Sequence, residues 1–243
     1  MPVTYIEAAD DDYHRHPRKD FIARGSRVKR CDDCQMAHWT CICDKVPSLA
    51  TDCEFWLLTH HKERFKPTNT GRLILMAHQK SKGFIWHRRS PPELFLEYLA
   101  REDIQPYLIF PDDEDGYQHR VHYQINEWCE QQKAIQGQGR TGKVAFILLD
   151  ATWRQARRMF RQSEYLQDLP VLSLSPDSIS EFLLRKEYSD DHLCTAEVAV
   201  NLLQLIDETQ DAEQLNHFYQ TFNQHYVAGR LNCTVEQIKE SNS

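Results

Sequence analysis

Short apolar runs alternate along the chain with amphipathic segments. We predict that the apolar runs form strands at 55–59, 73–76, 84–86, 107–110, 144–149 and 171–174. Several of these runs are apolar at consecutive positions, which leaves no side for water and indicates a parallel sheet covered on both faces. The amphipathic segments predict helices at 92–102, 121–134, 153–162 and 195–208. The fold class is therefore α/β, with a mainly parallel sheet and helices on both faces.

The organisation of the chain follows from these patterns and from its length of 243 residues. A chain of this length suits one α/β domain with a small appendage. Residues 1–30 have few large apolar side chains and many charges, so we expect a basic N-terminal arm. Residues 31–48 hold a cysteine cluster, and 49–230 form the main domain. The glycine-containing segment 136–143 is predicted to be a connection into the central strand.

The longest apolar run, 144–149, is far shorter than the ~20 residues needed to cross a bilayer. Residues 1–12 are acidic and polar and lack a hydrophobic signal core. We therefore predict a cytoplasmic protein with no membrane partner. The sequence leaves the oligomeric state open, with a monomer as one alternative.

Four of the eight cysteines lie within thirteen residues, at Cys31, Cys34, Cys41 and Cys43. In a reducing compartment such a cluster favours a metal over disulfides, and four thiolates suit a closed, tetrahedral structural zinc site. His38 lies inside the cluster and is an alternative ligand. The other alternative is four cysteines without a metal.

The net charge is −7, but the basic residues are concentrated in three segments. Residues 13–30 carry seven bases against one aspartate, and residues 62–89 carry eight bases against one glutamate. The third segment is the stripe Arg154, Arg157, Arg158 and Arg161, which recurs at helical spacing. This asymmetry is typical of a polyanion-binding face on an acidic body, although solvated basic faces are the alternative.

The run 144–149 stops at Asp150, and a helix is predicted to begin at Trp153. A carboxylate at the end of a buried strand lies at the edge of the sheet where α/β proteins bind ligands. The same helix would direct Trp153, Ala156 and Met159 inward and its arginines outward. The alternative is that Asp150 and Thr152 only cap a surface helix.

These residues resemble the DTW-domain family, whose name-giving motif matches Asp150, Thr152, Trp153, Gln155, Ala156 and Met159. Three further pieces agree in order: the cysteine cluster, the segment 61–72 and the segment 193–197. The resemblance covers about 30–203, most of the chain. One departure is Cys194, where a serine is usual.

The resemblance implies a knotted, SPOUT-like fold for the catalytic domain at 49–230. It also implies that S-adenosylmethionine donates its 3-amino-3-carboxypropyl group to N3 of a uridine in tRNA, releasing methylthioadenosine. Uridine N3 holds a proton at cellular pH, so a base or a hydrogen bond must help to expose it. Our candidate for that role is Asp150, with Thr152 and Trp153 in the same catalytic motif.

The remaining candidate residues fall into two groups. The donor-binding candidates are Phe110, Pro111, Leu149, Leu193, Thr195 and Glu197. The RNA-binding candidates are Asn69, Thr70, Arg72, Arg154, Arg157, Arg158, Arg161 and Arg185. For Thr195 pure helix capping is an equal alternative, and 69–72 also suits a simple loop. Two other functions stay open: a SPOUT-like RNA methyltransferase and a non-catalytic, zinc-containing RNA-binding protein.

Overall fold

The computed structural model describes residues 3–8, 28–113, 116–125, 143–174 and 193–241. These residues form a sheet of seven strands in the order β1-β3-β2-β6-β4-β7-β5, and every pairing is parallel. The strands are β1 (Tyr5–Ile6), β2 (Glu54–Thr59), β3 (Lys82–Ile85), β4 (Ile104–Ile109), β5 (Val121–His122), β6 (Lys143–Asp150) and β7 (Val171–Leu172). The α/β class and the parallel sheet are thereby confirmed.

Six α-helices lie in the described ranges. They are α1 (Gly71–Ala77), α2 (Glu93–Leu99), α3 (Trp153–Gln162), α4 (Thr195–Leu205), α5 (Thr209–Leu231) and α6 (Val235–Ser241). None of the helices in these ranges is long and apolar enough to span a bilayer.

The two faces of the sheet are covered by different helices, because successive side chains of a strand point to opposite sides. Phe55 and Leu57 of β2 face a core built with α1, α4 and α5. Trp56 and Leu58 face a second core built with α2 and α3. β2 and β6 thus bury both of their faces, which explains their continuous apolar sequences.

Five of the six predicted strands are confirmed, at 55–59, 84–86, 107–110, 144–149 and 171–174. The strand predicted at 73–76 is wrong, because this run lies inside α1, where Leu73 and Ile74 are fully buried. A short apolar run does not distinguish a buried strand from a buried helix. The leucines and the methionine of this run, and Ala77 directly after it, are good helix formers.

Among the predicted helices, 92–102, 153–162 and 195–208 correspond to α2, α3 and α4. The helix predicted at 121–134 is wrong at its start, where Val121 and His122 form β5 beside β7. Its part from 126 onward, and the connection at 136–142, lie outside the described residues. The knotted, SPOUT-like connection stays a prediction.

Three elements lie where the sequence predicted none, namely β1, α5 and α6. Tyr5–Ile6, within the expected basic arm, form β1 and pair with β3, so residues 3–8 are part of the sheet. The 23-residue α5 follows α4 and packs along it. Near its start, the Asp211 carboxylate accepts hydrogen bonds from the backbone amides of Ala50 (3.0 Å) and Thr51 (2.6 Å). This contact joins α5 to the chain entering β2.

We predict that Asp211→Ala lowers the free energy of unfolding by about 2 kcal/mol, because it leaves the buried Thr51 amide without its acceptor. Denaturant unfolding followed by circular dichroism measures the change. Glu213→Ala, at an exposed position of the same helix, is the matched control and should have little effect. Equal losses in the two variants would contradict the role given to Asp211.

Candidate active site and cysteine cluster

A cavity of about 420 Å³ opens at the carboxyl edge of the sheet, where β4 and β6 end. The first residues of α3 and α4 and the loop before α1 complete its wall. Nine candidate residues from the sequence line it: Asn69, Thr70, Phe110, Pro111, Leu149, Asp150, Trp153, Leu193 and Thr195. The tertiary structure therefore brings the 61–72, 150–159 and 193–197 motifs to one place.

The Asp150 side chain is the polar centre of this cavity. It is only 3% exposed, and three side chains donate hydrogen bonds to it. The Thr59 hydroxyl (3.1 Å) and the Asn69 amide (2.7 Å) bond to Oδ2, and the Thr195 hydroxyl (2.9 Å) bonds to Oδ1. A carboxylate has about four acceptor positions, so these donors leave room for about one more.

Burial raises the pKa of Asp150 above its ordinary value of 3.8. The hydrogen bonds from Asn69, Thr195 and Thr59 act in the opposite direction, and the nearby Glu63 carboxylate raises the pKa further. The outcome is a carboxyl group that binds a proton more readily than an exposed aspartate does.

Each donor to Asp150 is positioned by a different element. Thr59 is the last residue of β2 and lies directly opposite Asp150 in the parallel register. Asn69 is fixed from its other end, because its Oδ1 accepts a hydrogen bond from the Arg72 backbone amide (2.9 Å). Thr195 is the first residue of α4, and the Thr70 hydroxyl accepts a hydrogen bond from the next amide, that of Ala196 (3.3 Å).

Gly71 permits this convergence. A Cβ added at Gly71 would lie 2.7 Å from Asp150 Oδ1 and 2.7 Å from Leu57 Cδ2, closer than real Cβ contacts come. The start of α1 approaches the carboxylate because this position has no side chain.

An aromatic stack forms another wall of the cavity. The ring of Trp153 lies nearly parallel to that of Phe110, with centroids 5.7 Å apart, and Phe110 stacks on Phe160 at 4.0 Å. The Arg157 guanidinium lies 4.8 Å from the centroid of the Trp153 ring. Trp153 is thus held by cation–π and ring contacts while it lines the cavity.

Thr152 and Glu197 do not line the cavity. The exposed Thr152 begins α3, and its backbone amide donates to Gln155 Oε1 (3.0 Å). Glu197 Oε2 accepts from the Cys194 backbone amide (3.0 Å) at the start of α4. Helix capping accounts for both residues. Neither side chain lines this cavity, so the catalytic role expected for Thr152 and the donor contact expected for Glu197 stay predictions.

Arg72 does not reach the surface as an RNA contact requires. It is 2% exposed, and its guanidinium donates to the carbonyl oxygens of Arg64 (2.5 Å), Lys66 (3.3 Å) and Cys34 (3.5 Å). It joins the loop before α1 to the cysteine cluster. We therefore correct its assignment from an RNA-binding to a structural residue.

The other arginines differ in their surroundings. Arg154, Arg158 and Arg161 are exposed on α3, and Arg158 Nε donates to Gln162. Arg157 forms an ion pair with Asp113, and the RNA contacts of these four arginines stay predictions. Arg185 lies outside the described residues.

His60 was not singled out in the sequence, yet it lies beside Asp150, whose backbone carbonyl accepts from the His60 amide (3.0 Å). Burial, together with the nearby cations Lys62, Arg158 and Lys66, lowers the pKa of His60 to about 4. The ring is therefore neutral at pH 7. The three cations that converge on it make this rim of the cavity electropositive.

Three further site residues were missed as individual candidates: Thr59, Glu63 and Gly71. Glu63 and Gly71 lie inside the 61–72 motif, and Glu63 lines the cavity while its Oε1 pairs with Lys66 Nζ (2.6 Å). Thr59 ends one predicted strand, and Asp150 directly follows another. A polar residue at the end of an apolar run is therefore the sequence signal that could have identified Thr59.

The cysteine cluster has the geometry that a metal requires. The four sulfur atoms of Cys31, Cys34, Cys41 and Cys43 lie within 4.8 Å of one another, and the pairs 31/43 and 34/41 are separated by 3.6 and 3.7 Å. A tetrahedron of thiolates with Zn–S distances of ~2.3 Å has sulfur–sulfur edges of ~3.8 Å. The four thiols thus fit a zinc ion. His38 is exposed and lies outside the cluster.

The surroundings of the cluster join it to the active-site cavity. Met36, Ile42 and Leu73 pack with Phe218 and Ala196 in one hydrophobic core. This core holds the cysteine segment against α1, α4 and α5 near the residues that line the cavity.

The fold and the cavity define the class of this protein: a parallel α/β domain with a ligand-sized site around a buried carboxylate at the strand ends. The family described as DTW domain matches residues 28–227. The chain belongs to the DTW-domain family. It is also 21% identical over 191 residues to a Drosophila melanogaster protein named tRNA-uridine aminocarboxypropyltransferase 2, covering 78% of this chain and 71% of that relative. No solved structure is a significant match to the chain.

We predict that the purified protein contains one zinc ion per chain and that Cys34→Ser abolishes its binding. Because the segment 31–48 has little core of its own, loss of the metal should lower the stability by about 4 kcal/mol or more. Elemental analysis and thermal unfolding measure the two effects. Cys233→Ser is the control, since Cys233 lies outside the cluster. Full stability of the metal-free protein would contradict a structural role.

We predict that Gly71→Ala displaces the Asp150 carboxyl group and lowers the free energy of unfolding by roughly 1–3 kcal/mol, the usual cost of overpacking. The matched variant is Gly229→Ala in α5, where the nearest atom to the new Cβ is a threonine Oγ1 at 3.0 Å. Denaturant unfolding should show the larger loss at Gly71. A crystal structure of Gly71→Ala with Asp150 unmoved would count against the argument.

Proposed function

We propose that this protein transfers the 3-amino-3-carboxypropyl group of S-adenosylmethionine to N3 of a uridine in tRNA. The observation that carries the proposal is the buried Asp150 carboxylate, which lines a cavity of about 420 Å³ and keeps acceptor capacity for one more donor. Membership of the DTW family and the name of the Drosophila relative support the choice of reaction.

Asp150 suits the part of the base. Its raised pKa makes it a stronger proton acceptor than an exposed aspartate. The imide N–H of uridine donates to the remaining acceptor position of the carboxylate. As the proton moves to Asp150, the N3 lone pair attacks the γ-carbon of the methionine moiety. The γ-carbon–sulfur bond breaks, its electrons neutralise the sulfonium, and methylthioadenosine leaves.

The three donors to Asp150 hold the carboxylate in one orientation, so that its remaining acceptor position faces the cavity. A fixed carboxylate favours one approach of the nucleobase, and the orientation of the donor decides which carbon beside the sulfonium is attacked. The hydroxyls of Thr59 and Thr195 and the amide of Asn69 are therefore positioning groups in this mechanism.

The remaining walls of the cavity suit the donor. Leu149, Ile109 and Val198 supply apolar contacts for the adenine ring, and Phe110 and Pro111 add apolar surface beside them. Two carboxylates, Asp150 and Glu63, face a ligand that carries a sulfonium and an ammonium group. Their negative charge favours binding of this cation.

The tRNA would approach over the electropositive rim. Arg154, Arg158 and Arg161 project from α3, and Lys62 lies on the neighbouring loop. Phosphate contacts of this kind position a nucleic acid without reading its sequence. Zinc held by the four cysteines would supply a structural cross-link next to this face, with no open position for catalysis.

The test is the product and its pH dependence. Mass spectrometry should find aminocarboxypropyluridine in the treated tRNA and methylthioadenosine in stoichiometric amount. Accumulation of S-adenosylhomocysteine would instead identify a methyltransferase. Absence of donor binding in calorimetry would leave a non-catalytic RNA-binding protein.

We predict that Asp150→Asn lowers kcat by roughly 10²–10⁴-fold, the contribution of a general base. In the wild type, activity should fall as the pH drops through the raised pKa of Asp150, at a pH above the ordinary 3.8, because protonation removes the base. This acidic limb should be absent from the residual activity of the variant. Glu164→Gln makes the same change of charge at an exposed position and should keep the limb. Full activity of Asp150→Asn would refute the assigned role.

A further inference from the structure

A second cavity, of about 530 Å³, lies between the cysteine segment and the C-terminal half of α5. Arg30, Met36 and Thr40 form its wall on the side of the cysteine segment. Tyr226 and Arg230 form its wall on the helix. The mechanism proposed above uses none of these residues, and we call this cavity the zinc-side groove.

The lining of the zinc-side groove has the chemistry of a site for an anion with an aromatic ring. Arg30, His225 and Arg230 are basic, and none of the described residues that line the groove is acidic. Arg230 is exposed, and Arg30 keeps most of its guanidinium donors after one bond from Nη1 to the Gln35 carbonyl (3.1 Å). Arginine donors match phosphate oxygens well.

The aromatic component is Tyr226, which lines the groove and is held in place by its neighbour. Its ring is nearly parallel to that of Phe222, at an interplanar angle of 11° and a centroid distance of 6.2 Å. His225 is fixed as well, since its Nδ1 lies 3.1 Å from the Thr40 carbonyl and donates to it. A held ring between basic groups is the arrangement with which proteins bind single-stranded nucleic acid.

A further feature adjoins the groove. Trp39, next to the lining residue Thr40, is 57% exposed, which is unusual for so large an apolar side chain. The groove itself carries three basic residues and none of its described lining residues is acidic. This charge favours a polyanion over an apolar peptide or a second copy of this acidic chain.

The groove also has a defined relation to the active site. Met36 lines the groove and packs in the same hydrophobic core as Ala196 and the partly buried Cys194. Cys194 lines the catalytic cavity. One packed layer, built around the cysteine cluster, thus separates the two cavities, and a single polynucleotide is long enough to reach both.

We propose that the zinc-side groove binds a nucleotide of the RNA substrate away from the modified uridine, with Tyr226 stacking on the base and Arg30 and Arg230 holding the phosphate. The proposal rests on the proposed function only in taking tRNA as the RNA. It assigns the cysteine segment a part in substrate recognition in addition to its structural part.

Binding of unmodified tRNA to the full-length, zinc-loaded protein, measured by fluorescence anisotropy without donor over a range of salt concentrations, tests the groove. Arg230→Ala should weaken binding and reduce the slope of log K against log salt by ~0.7–0.9, the loss of about one phosphate contact. Tyr226→Leu should weaken binding at least ~5-fold, the lower end of a stacking contribution, and leave the slope unchanged. Zinc content and thermal midpoint verify that both variants are folded.

Lys143→Ala is the control, since it removes one positive charge from an exposed side chain outside the groove and outside the three basic segments. If both groove variants bind tRNA as tightly as this control, the proposal is overturned. It is also overturned if they lose binding of free uridine monophosphate while tRNA affinity stays the same, because the groove is then a mononucleotide site. Transfer at saturating tRNA should keep its kcat in the groove variants, with a raised KM.

The two proposals can fail separately. A protein that binds tRNA through the groove but forms no aminocarboxypropyluridine would overturn the proposed function alone. A protein that forms this product, but whose tRNA affinity is insensitive to Tyr226→Leu and Arg230→Ala, would overturn the groove alone.

Discussion

The buried carboxylate of Asp150 is the constraint on which the site depends. A charge removed from water is costly unless hydrogen bonds replace its hydration, and here Thr59, Asn69 and Thr195 supply them. These donors come from a strand, a loop and a helix that are distant in sequence. The cavity and the orientation of its carboxylate therefore exist only when all three elements are docked.

The cysteine segment contributes to that docking. Arg72 connects the Cys34 carbonyl to the carbonyls of Arg64 and Lys66, and the Arg72 backbone amide donates to the Asn69 side chain that reaches Asp150. A metal held by the four thiols would fix the first member of this chain of contacts. Such a metal would influence the Asp150 carboxylate through structure, while its closed ligand set would leave no position for substrate.

Errors in the sequence-based prediction have identifiable physical causes. The run 73–76 was predicted as a strand because it is apolar at every position and so lacks the polar face that distinguishes the two periodicities. α5 was missed because polar residues surround its few buried ones, yet Ala212, Leu215, Phe218 and Phe222 recur at helical spacing. Arg72 was expected to contact RNA because of its positive charge, and the sequence did not reveal that its side chain is buried.

The sequence alone determined the α/β class, the strands that carry the site, the four thiols and the importance of the Asp150 motif, because each depends on local periodicity or close spacing. The tertiary structure decided which residues that are distant in the sequence lie in contact. It placed Thr59 and Thr195 on Asp150, required Gly71 beside them, buried Arg72 and opened a groove beside Tyr226. These contacts join residues far apart in the chain, and no local pattern encodes the packing that brings them together.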